Sequence, residues 1–306
     1  MNEALLRLLT ELDDGGYDFI TVTPETHRRV LERRKGEKAH DWRDVFGWSM
    51  PFESELLAGP VLDVLEEAGA VAREGALLRS KVRVSSLAGR LFLHSAYPTT
   101  DEDSVFFGPD TYRFARFLEA ELAAVDGVRH LVDIGAGSGA GGITAAALVE
   151  PVQVSLTDIN PVALGLAATN AAAASIEVSL VEGGLDAVQG PVDLIIANPP
   201  YIADPLGREY RDGGDGVGSG LSIEWALQGA RRLEAGGTML LYSGSPIIGG
   251  EDRLLTQLAE GLDEVGCTLR YEELDPDVFG EELEQPAYRD AKVERIAAIG
   301  AVIRKD

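Results

Sequence analysis

The chain has 306 residues, of which 45% are hydrophobic, enough for a real core and long enough for two domains. Its 27 Lys and Arg stand against 51 Asp and Glu, a formal charge of −24, which repels a phosphate backbone over long range and disfavours a large nucleic-acid footprint. The single cysteine, Cys267, excludes an intrachain disulfide framework and a multi-Cys zinc site, and the four scattered histidines lack ligand spacing, so no metal is expected.

In chain order, Met1-Asn2-Glu3 does not open a signal-peptide pattern. Apolar runs such as Val192 to Ala197 are far shorter than the roughly 20 residues a membrane span needs. A folded, soluble, cytoplasmic protein that meets no membrane is therefore expected. The first hundred residues read as helices near 2–13, 24–34 and 54–69, followed by β-like runs at Leu77 to Val84 and Gly89 to His94. They predict a small α+β domain over 1–100, compatible with a winged-helix-like module, that meets the substrate or a partner. Within it, Arg28, Arg29, Arg33, Arg34, Lys35, Lys38 and Arg43 form a basic cluster that reads mainly as a solvated helix face, with contacts to RNA or to an acidic protein as the alternative. Trp42, Phe46, Trp48 and Phe52 read mainly as core aromatics, with a partner surface as the alternative. The polar stretch Tyr97-Pro98-Thr99-Thr100-Asp101-Glu102-Asp103 reads as a linker.

A catalytic domain is expected over 101–306. From about residue 131 short apolar runs alternate with Ala- and Leu-rich helical stretches, the pattern of βαβ units around a parallel sheet. Strands are predicted at Leu131 to Ile134, Val152 to Thr157, Ile176 to Val181, Val192 to Ala197, Thr238 to Tyr242, Thr268 to Leu274 and Ile296 to Ile303. Helices are predicted near 140–149, 161–173, 221–234 and 251–265. The central runs are apolar nearly throughout, as strands covered on both faces must be.

Asp133-Ile134-Gly135-Ala136-Gly137-Ser138-Gly139 follows the first of these strands and opens a helix. Missing Cβ atoms there let a tight turn bring backbone N–H groups close to a ligand. Gly135, Gly137 and Ala140 also fit the dinucleotide fingerprint of dehydrogenases. Asp158, at the end of the next strand, suits the two hydroxyls of an adenosine ribose in either case. The pair points to a nucleoside without choosing the cofactor.

Asn198-Pro199-Pro200-Tyr201 ends the fourth strand, where its carboxyl end meets the cofactor crevice. Two prolines fix two φ angles and remove two N–H donors, so the segment is stiff and presents carbonyl acceptors. The Asn198 side-chain oxygen and a proline carbonyl are placed to accept both hydrogens of an NH₂ group, and Tyr201 is expected to offer a face for stacking a flat amide or base. A conjugated NH₂ is a poor nucleophile, so such a site works by positioning and needs no strong general base. The nitrogen turns positive as its bond forms, and the two acceptors then hold it more tightly, which favours the transition state over the ground state.

With these residues in place, the region from about Phe106 to Lys305 resembles class I S-adenosylmethionine-dependent methyltransferases of the "methyltransferase small" group, which includes protein-(glutamine-N5) and adenine-N6 enzymes. The resemblance implies a Rossmann-like seven-stranded α/β sheet of order 3-2-1-4-5-7-6, the last strand inserted antiparallel, with S-adenosyl-L-methionine as cofactor. It assigns cofactor contacts to Asp133, Gly135, Ala136, Gly137 and Gly139, to Asp158 and Ile159, to Gly184 and Leu185, and to Asn198. The catalytic set is Asn198, Pro199, Pro200 and Tyr201. Phe107-Gly108-Pro109-Asp110-Thr111-Tyr112 looks like the group's segment that lids the cofactor, and Tyr210-Arg211-Asp212-Gly213-Gly214 like its glycine-rich stretch after the motif. Where the group often has an acidic or hydroxyl residue after the third strand, this chain has Glu182-Gly183-Gly184-Leu185, so adenine contacts are expected from backbone. The implied reaction is N-methylation of a planar amide or amine, with a protein (glutamine-type) or small-molecule acceptor favoured by the charge. The alternative is adenine-N6 or another RNA or DNA base, which the basic cluster would help to hold.

Overall fold

The computed structural model describes residues 1–57, 59–204, 211–215 and 217–306. Three helices lead the chain: α1 (Glu3–Asp14), α2 (Pro24–Arg33) and α3 (Pro60–Glu67). Asn2 and Thr23 cap the first two by accepting the backbone N–H of Leu5 and Thr26. The stretch expected as one helix over 54–69 is broken. A 3₁₀ turn over Ser54–Leu57 precedes α3, because Pro60 cannot continue a helix and Gly59, at φ +93°, turns the chain into a new one. Ala58 lies outside the described residues.

Two antiparallel hairpins follow. β1 (Val71–Glu74) pairs with β2 (Leu77–Ser80), and β3 (Val82–Leu87) pairs with β4 (Arg90–Ser95). The continuous run expected from Leu77 to Val84 is therefore divided at Lys81, whose N–H bonds to the Ala70 carbonyl instead of either ladder. The predicted α+β organisation is present, and the helices and hairpins share one core around Leu8, Leu12, Phe46, Phe52, Leu57 and Leu65.

The larger part of the chain runs α4 (Pro109–Leu122), β5 (His130–Ile134), α5 (Ala140–Val149), β6 (Gln153–Asp158), α6 (Pro161–Ala173), β7 (Ser179–Glu182), β8 (Leu194–Ala197), α7 (Gly220–Arg232), β9 (Thr238–Ile248), β10 (Glu251–Asp252), α8 (Arg253–Asp263), β11 (Cys267–Asp275), α9 (Pro286–Ala291) and β12 (Val293–Lys305). The main sheet has the order β11-β12-β9-β8-β5-β6-β7, with β10 a short addition to β9. Read from its other edge, this is the 3-2-1-4-5-7-6 order the resemblance implies. β12 is antiparallel to both β9 and β11, while β5 to β9 are parallel. The central strands β5 and β8 are buried at every residue, as strands covered by helices on both faces must be.

The N-terminal part is packed directly on the sheet's helices. Ala163 and Leu166 of α6 belong to its core, and the Asn2 N–H donates to the Thr169 hydroxyl. Asn170, also on α6, has a deeper role. Its side-chain oxygen accepts the Leu93 N–H at 2.8 Å, and its NH₂ donates to the carbonyls of Leu93 at 3.0 Å and Ser138 at 2.8 Å. One buried amide thus ties β4 to the turn before α5.

Candidate active site

The register of the sheet assembles the site. Ile134 lies opposite Thr157 on one side and Ala197 on the other, and Ala197 in turn lies opposite Leu241. The residues that follow, Gly135, Asp158 and Asn198, therefore come side by side at the carboxyl ends of β5, β6 and β8, level with Tyr242 inside β9. The order of chain travel reverses between β5 and β8, which opens a crevice at this edge of the sheet.

Gly135, Gly137 and Gly139 have φ of +65°, +55° and +78°, the left-handed region where a Cβ is strained. Crowding adds to this at two of them. A Cβ on Gly135 would come within 2.5 Å of the Trp225 ring of α7, and one on Gly139 within about 3.2 Å of Ile143 and Ala167. Around Gly137, by contrast, the nearest group is Val105 at 3.9 Å, so the cradle is open there. The Ala136 N–H bonds to the Thr157 carbonyl at 2.8 Å. The Gly137 N–H donates at 2.8 Å to one oxygen of Asp158, and the Asn160 N–H donates at 2.9 Å to the other. The acid that follows β6 thus shapes the glycine turn as well as standing beside it.

Three expected cofactor contacts are placed elsewhere. Asp133 is 2% exposed beneath the loop, where it accepts the Gly142 N–H at 2.7 Å. Burial, with the neighbouring Asp158 charge adding to it, pushes its carboxyl up to about 7. It anchors the start of α5 and does not face the crevice. Leu185, the first residue of a 3₁₀ turn over Leu185–Ala187, is buried in the core with Ile134 and Val192. Ala136 is itself nearly buried with its N–H committed. Ile159 is 58% exposed, an apolar face left in the open beside Asp158, and a Cβ at Gly184 would meet nothing.

Asn198 is half-buried, and its side chain makes no hydrogen bond among the described residues. Its amide is thus uncommitted at the crevice. Tyr201 is not free in this way. It is 6% exposed, edge-on to Tyr242 and Phe279 and pressed against Gly244, where a Cβ would come within 2.2 Å of its ring. The expectation that its ring offers a stacking face is corrected: the ring is enclosed, and it braces the motif from behind.

What it braces against was not read from the sequence. The Tyr201 hydroxyl donates to one oxygen of Asp110 at 2.6 Å, and the Tyr242 hydroxyl donates to the other at 2.8 Å. Arg113 adds a contact at 3.2 Å, and it also pairs with Asp275. Burial pushes the Asp110 carboxyl up, opposed by these donors. The start of α4 is in this way fastened to the Asn198-Tyr201 segment and to β9. Tyr201→Phe is expected to cost about 1–3 kcal/mol by leaving a buried acceptor short of a donor. The loss should be read as a lower unfolding midpoint with cofactor affinity near that of the parent; an unchanged midpoint would deny the hydroxyl a bracing role.

The glycine-rich stretch after the motif lies alongside it. Ile202 bridges to Asp212, the Gly213 N–H donates to the Ile202 carbonyl, and a Cβ on Gly218, at φ +93°, would come within 2.4 Å of the Tyr201 carbonyl. Tyr210 lies outside the described residues. Ala203 donates its N–H to the Tyr288 hydroxyl, and Arg211 pairs with buried Glu282.

The basic cluster is partly paired within the fold. Arg28 pairs with Glu25 and Glu32, Arg29 with Glu25, Arg34 with Glu37 and Asp44, and Lys38 with Glu53. Interleaved acids thus pair four of the seven cations, while among the described residues Arg33, Lys35 and Arg43 are in no ion pair. Phe46 and Phe52 are fully buried and Trp42 and Trp48 pack on the same core, which supports the core reading of those aromatics.

The methyltransferase small domain model matches residues 107–211, the stretch that carries α4, the glycine turn and the Asn198-Tyr201 motif. The release factor glutamine methyltransferase of Cereibacter sphaeroides is 31% identical over 228 residues, 68% of this chain and 79% of that protein. That of Deinococcus radiodurans is 32% identical over 175 residues, 53% of this chain and 62% of that protein, so the match spans under two thirds of its length. Among solved structures, M. jannaschii TYW2 in complex with AdoMet superposes with a TM-score of 0.50 at 13% identity, covering 74% of this chain and 87% of that one, a likeness of fold alone. No helix among the described residues is long and apolar enough to cross a membrane. Sheet order, glycine turn, motif and relatives agree, and the chain belongs to the methyltransferase small family of S-adenosylmethionine-dependent methyltransferases.

Proposed function

We propose that this chain methylates the side-chain amide nitrogen of a glutamine in a cytoplasmic protein. The observation that carries the reading is the Asn198 amide, placed just past the end of β8 and without a hydrogen-bond partner among the described residues. Support comes from the two relatives, both named release factor glutamine methyltransferases.

When bound, S-adenosylmethionine supplies a methyl group activated by its sulfonium. The open cradle around Gly137 and the glycine N–H groups would hold its methionine part, Asp158 its ribose hydroxyls, and Ile159 with the backbone at Gly184 its adenine. Asn198 and a carbonyl of the Pro199-Pro200 pair accept the two hydrogens of the substrate NH₂ and so aim its lone pair. Neither proline has an N–H to compete for those acceptors. Tyr201, held by Asp110, keeps that pair of acceptors still, and positioning of this kind is where most of the rate comes from.

The test is transfer of label from radiolabelled S-adenosylmethionine in a cell extract, followed by protease or nuclease digestion. Label released by protease, and recovered as methylglutamine after hydrolysis under conditions that spare the amide, is the expected result. Label released only by nuclease would replace this reading with base methylation.

A further inference from the structure

The N-terminal part buries a charge that no carboxylate among the described residues neutralises. Arg83 on β3 is 4% exposed. Its guanidinium donates to the Gly47 carbonyl at 3.0 Å and the Thr21 hydroxyl at 3.2 Å, and it lies 5.8 Å from the centre of the Phe19 ring. These partners are all neutral, and among the described residues no carboxylate pairs with it. The acids of α2 are not available, since Glu25 and Glu32 are taken by Arg28 and Arg29. Of the five N–H donors of a guanidinium, these bonds use one on Nε and one on Nη2.

Arg83 lines a cavity of about 10 Å³ that it shares with His27, His94, Tyr97, Phe106 and Phe107, the lower bound for one water, so an ion of chloride's size needs the aromatic lining to give slightly. His27 is 0% exposed, and its Nδ1 has no hydrogen-bond partner. Its Nε2 faces the Trp48 carbonyl at 3.0 Å, which only accepts, so Nε2 carries the proton and Nδ1 is bare. Burial and the Arg83 charge hold both histidines below the ordinary imidazole range. A water there would satisfy the hydrogen bonds and leave the charge unmatched, and a buried unpaired charge is the costlier defect. An anion answers both, because its charge also favours a second proton on His27, which turns Nδ1 into a donor. Pro24, the first residue of α2, reaches the same cavity, so the positive end of that helix adds to the field.

We propose that this cavity is a binding site for a single small monovalent anion, of the size of chloride, held by Arg83 and His27. Its place gives it a consequence. Tyr97 stacks on His27 at 4.0 Å and His94 on Phe107 at 4.9 Å, so the anion would lock the segment that leads from β4 into α4 onto the N-terminal part.

Diffraction from wild-type crystals grown in bromide gives the direct test: an anomalous peak in the cavity, within hydrogen-bond reach of Arg83, is expected. An ordered water or an empty cavity there overturns the proposal. In solution, the unfolding midpoint should rise saturably in sodium chloride relative to sodium gluconate of equal ionic strength, by roughly 5 °C at chloride about 100-fold above its dissociation constant. Arg83→Met should abolish the difference between the two salts, and its persistence in that variant would place the chloride effect elsewhere. If Arg83→Met fails to fold, the bromide peak decides alone.

Discussion

Asn198→Ala is expected to bind S-adenosylhomocysteine as the parent does and to turn over about 10²–10³ more slowly, roughly 3–4 kcal/mol of transition-state stabilisation. The Asn198 side chain has no partner among the described residues, so its removal should leave no buried group unsatisfied and the unfolding midpoint should stay close to that of the parent. That separates it from Tyr201, whose hydroxyl is bonded to Asp110 and whose loss should appear in stability. Single-turnover kinetics on the identified substrate, beside calorimetry with the product cofactor, make the comparison. Near-normal turnover by Asn198→Ala would show that no positioned acceptor limits the reaction. Asn198→Asp refines the test, since a carboxylate still accepts both hydrogens, and substantial activity in that variant would support the acceptor role directly.

The second large effect is expected at Asp158. Loss of a charged acceptor of two ribose hydroxyls should weaken S-adenosylhomocysteine binding by about 1.5–3 kcal/mol, roughly 10- to 150-fold. The same carboxylate also receives the N–H groups of Gly137 and Asn160, so Asp158→Ala loosens the glycine turn while it removes the ribose contact. Asp158→Asn keeps the size and one oxygen acceptor, and its loss should be smaller. Calorimetry against S-adenosylhomocysteine and against NAD reads both points. Unchanged affinity in Asp158→Ala would remove the ribose assignment, and tighter binding of NAD than of S-adenosylhomocysteine would contradict the assigned cofactor.

Much of this site was legible because its signals are local. A glycine turn with φ positive at three positions is written in the residue types themselves, since little else tolerates that backbone. Asn198-Pro199-Pro200-Tyr201 is likewise a statement about fixed φ angles and missing donors over four adjacent residues. The apolar runs of β5 and β8 follow from their cover on both faces. Even the helix starts were marked, by Asn2, Thr23 and Asn160 as caps and by the prolines that open α2, α4 and α6.

Tertiary structure alone decided which polar groups meet. Asp110 and Tyr242 are separated by 132 residues, and no local pattern says that the start of α4 will receive a hydroxyl from β9. Asn170 carried a faint signal, a lone amide in an Ala-rich helix, yet its partners at Leu93 and Ser138 are fixed only by packing the N-terminal part on α6. The pairing of the basic run on α2 is the complementary case. Charge counted along the chain does not know that Glu25, Glu32 and Asp44 will stand within reach of it. Backbone preferences and periodicity act over a few residues and are therefore encoded where they act. The pairing of buried polar groups depends on the register of distant strands, and it is the register of β5, β6, β8 and β9 that brings Gly135, Asp158, Asn198 and Tyr242 level with one another.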